Sequence, residues 1–135
     1  MMKEMIVIGG KRKTAIAKAK IMKGKGNVYY NGLPYQKLRR FHKLILSEPI
    51  EIYKKKIGAL DYDIEVKTSG GGLEGQIQAA RLAIAKALVK ITGSEDLKKA
   101  IVSYDRNMLV ADIRRKETRK PGDSKARAKR QTSYR

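Results

Sequence analysis

The sequence predicts an α+β fold: one two-layer domain of sheet and helix, followed by an extended basic tail. Three observations predict it. Residues 62–67 alternate apolar and charged side chains, the period-two pattern of a strand with one buried face. Residues 73–91 repeat apolar side chains every three or four positions, the pattern of a long amphipathic helix. The 22 residues from Arg114 to Arg135 contain no Ile, Leu, Val, Phe, Met or Trp and carry ten Lys or Arg against two acidic residues. Such a segment buries too little to offset an ordering cost of about 1–2 kcal/mol per residue, so by itself it is expected to stay disordered, and its order must come from a polyanion. The expected division is a globular body over 1–112 and a tail over 113–135. No repeat of 20–50 residues is visible.

Each element has its own signal. Met5 to Ile8 is apolar and β-branched and precedes Gly9-Gly10, which predicts a buried strand ended by a turn. From Thr14 to Met22 the Ala and Lys content favours helix, but Ala15, Ala17, Ala19 and Ile21 alternate with Ile16, Lys18, Lys20 and Met22. The period of two predicts a strand whose small-residue face lies close against a neighbour. Lys23 to Gly26 turns the chain into a short strand, Asn27 to Tyr30, closed by Asn31-Gly32. Pro34 is placed in the first turn of a helix through Leu38, Phe41, Leu44 and Ile45. Ser47-Glu48-Pro49 is expected to stop that helix and start another, with Ile50, Tyr53 and Ile57 on one face and Gly58 at its end.

Tyr62, Ile64 and Val66 form the apolar face of the next strand, broken by Thr68 to Gly72. In the long helix, Leu73, Ile77, Ala80, Ile84, Leu88 and Ile91 make the buried stripe, with Arg81, Lys86 and Lys90 mainly off it. Thr92-Gly93 ends it. Ser94 as N-cap, with Glu95 and Asp96 in the first turn, starts a last helix through Leu97, Ile101 and Tyr104. Met108 to Val110 reads as extended, leading into the tail.

Charge narrows the function. The chain has 32 Lys and Arg against 13 Asp and Glu, a net charge of +19 in 135 residues. Positions 1–113 alone hold 22 basic and 11 acidic residues, so the body is expected to be a binding surface as well as the tail. There is no cysteine, hence no disulfide framework and no thiolate site, which fits a reducing compartment. No apolar run approaches the ~18 residues of a membrane span, and Met5 to Ile8 is shorter than a signal-peptide core. These features point to an intracellular, soluble chain with no membrane partner.

Gly70-Gly71-Gly72-Leu73-Glu74-Gly75 satisfies the spacing of a dinucleotide loop, but Glu95 and Asp96, about 20 positions on, open a helix instead of ending a second strand. A triphosphate loop fails as well, because Gln76 and Ile77 stand where Lys and Ser or Thr belong. The run is then either a structural turn or a place where backbone approaches a nucleic-acid phosphate at a helix N-terminus. Seven basic residues from Lys11 to Lys25, with no acidic residue among them, are either a solvated strand face or a phosphate-tracking surface. Unmixed sign favours the second. Lys54-Lys55-Lys56 reads as solubility. His42 is the only histidine and lacks a partner for a metal or catalytic site, and no carboxylate pair is placed for acid–base work. No enzyme, cofactor, metal or small-molecule substrate is expected.

In the tail, Lys125 to Arg130 sets charges among small residues, so an extended chain can enter a groove, while Tyr134 offers a stacking face and Arg135 a planar fork. Fully extended, 22 residues reach on the order of 70 Å.

A family resemblance rests on particular residues. Gly70-Gly71-Gly72-x-x-Gly75-Gln76-x-x-Ala79-x-x-x-Ala83-x-Ala85-Lys86-Ala87-Leu88 resembles the signature of the small-subunit ribosomal protein S-nine family. Gly10-Lys11-Arg12-Lys13-Thr14-Ala15-x-Ala17 joins it, with Asn31-Gly32 and Pro34, Tyr104-Asp105-Arg106, Leu109-Val110-Ala111-Asp112-x-Arg114-Arg115-x-Glu117, Ala126-Arg127-Ala128 and Ser133-Tyr134-Arg135. The match covers nearly the whole chain.

The resemblance implies a structural, rRNA-binding protein of the small-subunit head, acting in the cytoplasmic ribosome beside neighbouring small-subunit proteins. It implies a fold like the second domain of ribosomal protein S-five, with a left-handed crossover. Contacts to rRNA are expected at Lys11, Arg12, Lys13, Lys18 and Lys20, at Gly70, Gly71 and Gly72, and in the tail at Arg114, Arg115, Arg119, Lys120, Lys125, Arg127 and Lys129. The tail is expected to thread toward the peptidyl-site tRNA, with contacts at Arg130, Tyr134 and Arg135. The Ser-Tyr-Arg ending is similar to archaeal and eukaryotic members, whereas bacterial members usually end in Lys-Arg; the chain's short length also favours an archaeal source. The rival readings are a non-ribosomal, chromatin-like nucleic-acid binder and a peripheral membrane protein using its polybasic tail.

Overall fold

A computed structural model describes residues 5–110. The expected contacts at Arg114, Arg115, Arg119, Lys120, Lys125, Arg127, Lys129, Arg130, Tyr134 and Arg135 lie outside the described residues.

The chain runs β1 (Met5–Arg12), β2 (Ala15–Lys23), β3 (Val28–Tyr30), β4 (Leu33–Pro34), a 3₁₀ turn (Tyr35–Lys37), α1 (Arg40–Lys56), β5 (Tyr62–Ser69), α2 (Leu73–Thr92), α3 (Glu95–Tyr104) and a second 3₁₀ turn (Arg106–Met108). The strands form one mixed sheet in the order β1-β2-β5-β3-β4, antiparallel except for the parallel pair β3–β5. Helix α2 packs across β1, β2 and β5, α1 lies against α2, and α3 lies against α1. The helices cover one face of the sheet, and the class is α+β as expected.

The small-residue face expected on the second strand is real. Ala15, Ala17, Ala19 and Ile21 are buried, and their close neighbour is α2, itself buried through Ala79, Ala80, Ala83 and Ala87. Gly10 sets the approach: a Cβ there would stand 2.7 Å from the Ala83 backbone nitrogen. Strand β1 therefore continues through Gly9-Gly10 to Arg12 instead of turning at the glycines. The missing side chain serves helix–sheet packing.

Other expectations give way to tertiary context. Asn31 (φ 50°) and Gly32 (φ 86°) supply the two positive φ angles of a tight hairpin, pairing Tyr30 with Leu33. Pro34 thus ends an edge strand, and α1 begins only at Arg40. Nor does Pro49 divide the helix: α1 is continuous through it. Proline there removes the donor that would reach Ile45, but Leu46, Pro49, Ile50 and Tyr53 bury one common face, and that packing outweighs the lost bond. Phe41 is 78% exposed, and Leu44, Ile57, Leu73 and Tyr104 also lie outside the core.

Arg81, expected mainly off the stripe, is 9% exposed. Its guanidinium meets Glu48 of α1 and, at 3.0 Å, Asp105 at the end of α3. Residues 106–108 are helical, not extended, because Asp105 accepts from the Asn107 N–H and Met108 is fully buried. The Ser94 cap stands as expected, its hydroxyl accepting from the Leu97 N–H. Gly93 closes α2 in the left-handed conformation (φ 63°).

Candidate nucleic-acid interface

The turn between β1 and β2 is two residues long, Lys13-Thr14, since Arg12 pairs directly with Ala15. Lys13 takes φ 55°, a conformation that costs an L-residue about 1–2 kcal/mol. The glycine run packs onto this turn backbone against backbone. Gly70 (φ 73°) and Gly71 (φ 62°) are both left-handed; a Cβ on Gly70 would stand 2.7 Å from the Thr14 carbonyl oxygen, and one on Gly71 would stand 3.0 Å from the Ala15 nitrogen. Gln76 ties the loop to its helix by donating from Nε2 to the Gly70 carbonyl at 3.0 Å. Two glycines of the run are therefore structural.

Gly72 is different. It is the N-cap of α2 with φ −98° and ψ 174°, no side chain caps the helix there, and a Cβ would meet nothing within 4 Å. The first N–H groups of a 20-residue helix are thus left facing an exposed loop.

Turn, loop and helix start enclose a cleft of about 540 Å³, lined by Arg12, Lys13, Thr14, Gly71, Gly72, Glu74, Gly75, Gln78 and Asn107 among others. Glu74 also lines the cleft and would oppose an anion there; its carboxylate is hydrogen-bonded to His42 Nε2 at 2.9 Å. The lone histidine, expected as boundary packing, is an inter-helix contact that gives this carboxylate a partner.

The structure brings Arg12, Lys13, Gly71 and Gly72 together in the cleft, with Gly70 behind them as the packing residue. It does not bring Lys11, Lys18 and Lys20 there. Strand alternation sends these to the sheet face away from α2, where Lys11 and Lys18 are exposed and Lys20 is half-buried opposite Glu65. Lys67 of β5, not singled out from the sequence, stands directly across from Lys18 on that face. The alternation of β5 was legible, but the register that pairs the two lysines was not. Among the described residues no cluster of His, Cys, Asp or Glu could hold a metal, and no helix is long and apolar enough to cross a membrane.

A family model described as ribosomal protein S9/S16 matches residues 10–135. The chain belongs to the ribosomal protein S9/S16 family. Among similar relatives is the small ribosomal subunit protein uS9 of Methanococcus maripaludis, 44% identical over 129 residues, covering 93% of this chain and 95% of the relative. The protein of the same name from Methanococcus vannielii is 43% identical with the same coverage. The expected family and its archaeal-type branch are both borne out. The cleft of this S9/S16 member lies within the matched span, at the GKRKTA turn and the GGG loop that carried the resemblance.

Proposed function

We infer that this chain is a structural constituent of the small ribosomal subunit, not an enzyme, with the cytoplasmic ribosome as its place of action. We propose that it acts there by binding phosphates of folded rRNA in the subunit head, beside neighbouring small-subunit proteins. The observation that carries the rRNA reading is the convergence, in a member of this family, of the Arg12-Lys13 turn, the open Gly72 cap and the free end of a long helix. Backbone donors and basic side chains aimed into one cleft recognise phosphate without reading sequence, which suits RNA helices whose base edges are hidden in a deep groove.

The tail belongs to the same proposal. Its basic residues from Arg114 to Lys129 follow rRNA phosphates, and Arg130, Tyr134 and Arg135 meet the peptidyl-site tRNA. So does the finer likeness to the second domain of ribosomal protein S-five, for which the connection from β3 through α1 to the parallel β5 is where a left-handed crossover belongs.

Sedimentation of cell extract tests the core of the reading. The chain is expected to ride with small subunits through a high-salt gradient; its release, together with equal affinity for duplex DNA, would favour a chromatin-like binder. Deleting Arg135 alone is expected to weaken peptidyl-site tRNA binding while incorporation into subunits stays nearly intact.

A further inference from the structure

We propose that Lys67, with Lys18 directly across from it and Lys11 on the diagonal, forms a second phosphodiester-binding line on the open face of the sheet, apart from the cleft. This rests on the rRNA reading above and adds a surface to it.

The register puts the Cα of Lys18 opposite that of Lys67, with both side chains exposed on the face that none of the described helices covers. Like charges directly opposite on neighbouring strands destabilise a sheet. The same face avoids this one row away, where Lys20 is opposite Glu65, and Asp63 beyond it is occupied by the backbone N–H groups of Lys25, Gly26 and Asn27 at 3.0–3.1 Å. Glu65 lies diagonal to Lys18, yet among the described residues neither lysine side chain makes a hydrogen bond or ion pair. A phosphodiester laid along this row would supply a counter-charge that the described residues do not place there.

What supplies it is a linear polyanion. Gly9 pairs with Lys18 on the other side and leaves bare backbone beside it, a Cβ there having only the Ala17 oxygen near, at 3.9 Å. Lys11, two residues along β1, is diagonal to Lys18 and leads directly into the Arg12-Lys13 turn. A phosphodiester strand can therefore follow Lys67, Lys18 and Lys11 across the sheet and turn into the cleft. Exposed Val7 (55%) and Ile16 (41%) flank the line with apolar surface for sugars and bases.

The test uses the full chain and deproteinised small-subunit rRNA, with affinity measured over a salt series. Lys18→Gln/Lys67→Gln is compared with Lys54→Gln/Lys55→Gln, which removes the same charge from the last turn of α1. The first pair is expected to shallow the log affinity against log salt slope by about 1.4–1.8, at 0.7–0.9 per phosphate contact. It should also melt at the same temperature or higher, because a repulsion has gone. The control should leave the slope unchanged. Equal effects of the two pairs, or no change for the first, overturn the line while leaving the cleft reading intact. Unchanged rRNA binding with poor uptake into subunits would mean that the face meets an acidic protein, and overturns it too. Failure of the unsubstituted chain to bind rRNA sinks both readings.

Discussion

Replacing Gly72 by Ser separates the structural from the functional use of the glycine loop. Gly72 is the N-cap of α2, with an extended backbone that any residue adopts and open space where a side chain would go. Serine is a better cap than glycine by a few tenths of a kcal/mol, and restricting the unfolded chain adds about 0.4–1 kcal/mol, so Gly72→Ser should stabilise the fold by about 0.5–1.5 kcal/mol. The new hydroxyl accepts from the N–H of Glu74 or Gly75, the same donors a phosphate would use. Losing one charge-assisted hydrogen bond costs about 1.5–3 kcal/mol, so affinity for rRNA should fall about tenfold or more. Gly70→Ala is the contrast. Its left-handed φ of 73° and a Cβ 2.7 Å from the Thr14 oxygen force the loop off the hairpin turn, and stability and affinity should fall together, stability by about 2–4 kcal/mol. Urea unfolding and filter binding at one fixed salt concentration measure both quantities. A Gly72→Ser protein that is more stable yet binds rRNA as well as the original would refute the helix N-terminus as a phosphate site.

Arg81→Met should cost about 2–3 kcal/mol in urea unfolding, at the low end for a broken buried ion pair because Glu48 and Asp105 keep 30% and 35% side-chain exposure. The triple change Arg81→Met/Glu48→Gln/Asp105→Asn should recover most of the loss, and a triple variant as unstable as the single one would show that the guanidinium matters for packing alone. The N–H groups of Asn27, Lys25 and Gly26 hold the Asp63 carboxyl below the usual carboxylate range, against a smaller opposing effect of burial. A depressed pKa means stability present above the unfolded value and lost as pH falls through the folded one, so acid titration of Asp63→Asn should be flatter than that of the original chain in that window. Truncation after Asp112 should shallow the salt dependence of rRNA affinity by about four to seven units if the tail makes six to eight phosphate contacts.

How much was legible depended on where the deciding partner lay. Periodicity located β2, β5 and α2 because burial of one face is written into the residues themselves. The glycine run and the GKRKTA turn were legible as motifs, yet that they face each other was not, since the hairpin and the β5–α2 loop are far apart in sequence. Pro49 misled because a local rule was set against a buried stripe it could not see. Arg81 misled in the same way: a charged residue at the flank of a stripe is buried only if acids on other elements come to meet it, and Glu48 and Asp105 arrive from α1 and the end of α3. Lys67 escaped notice because a single lysine on an alternating strand has no signal until the register sets Lys18 opposite it.

The two basic surfaces have a common structural origin in small residues of the helix–sheet contact. Ala15, Ala17 and Ala19 on β2 and Gly10 on β1 let α2 approach the sheet until backbones nearly touch. That approach brings the start of α2, with Gly71, against Ala15 and so closes the cleft beside Arg12 and Lys13. The strict alternation that buries those alanines also sends Lys18 and Lys67 to the opposite face. A one-residue slip of β2 would put lysines into the helix interface and alanines on the surface, so the same pattern that stabilises the body holds its charges outward. The repulsion between Lys18 and Lys67 is the part of this arrangement that packing does not require, and it is therefore the feature that points to a partner.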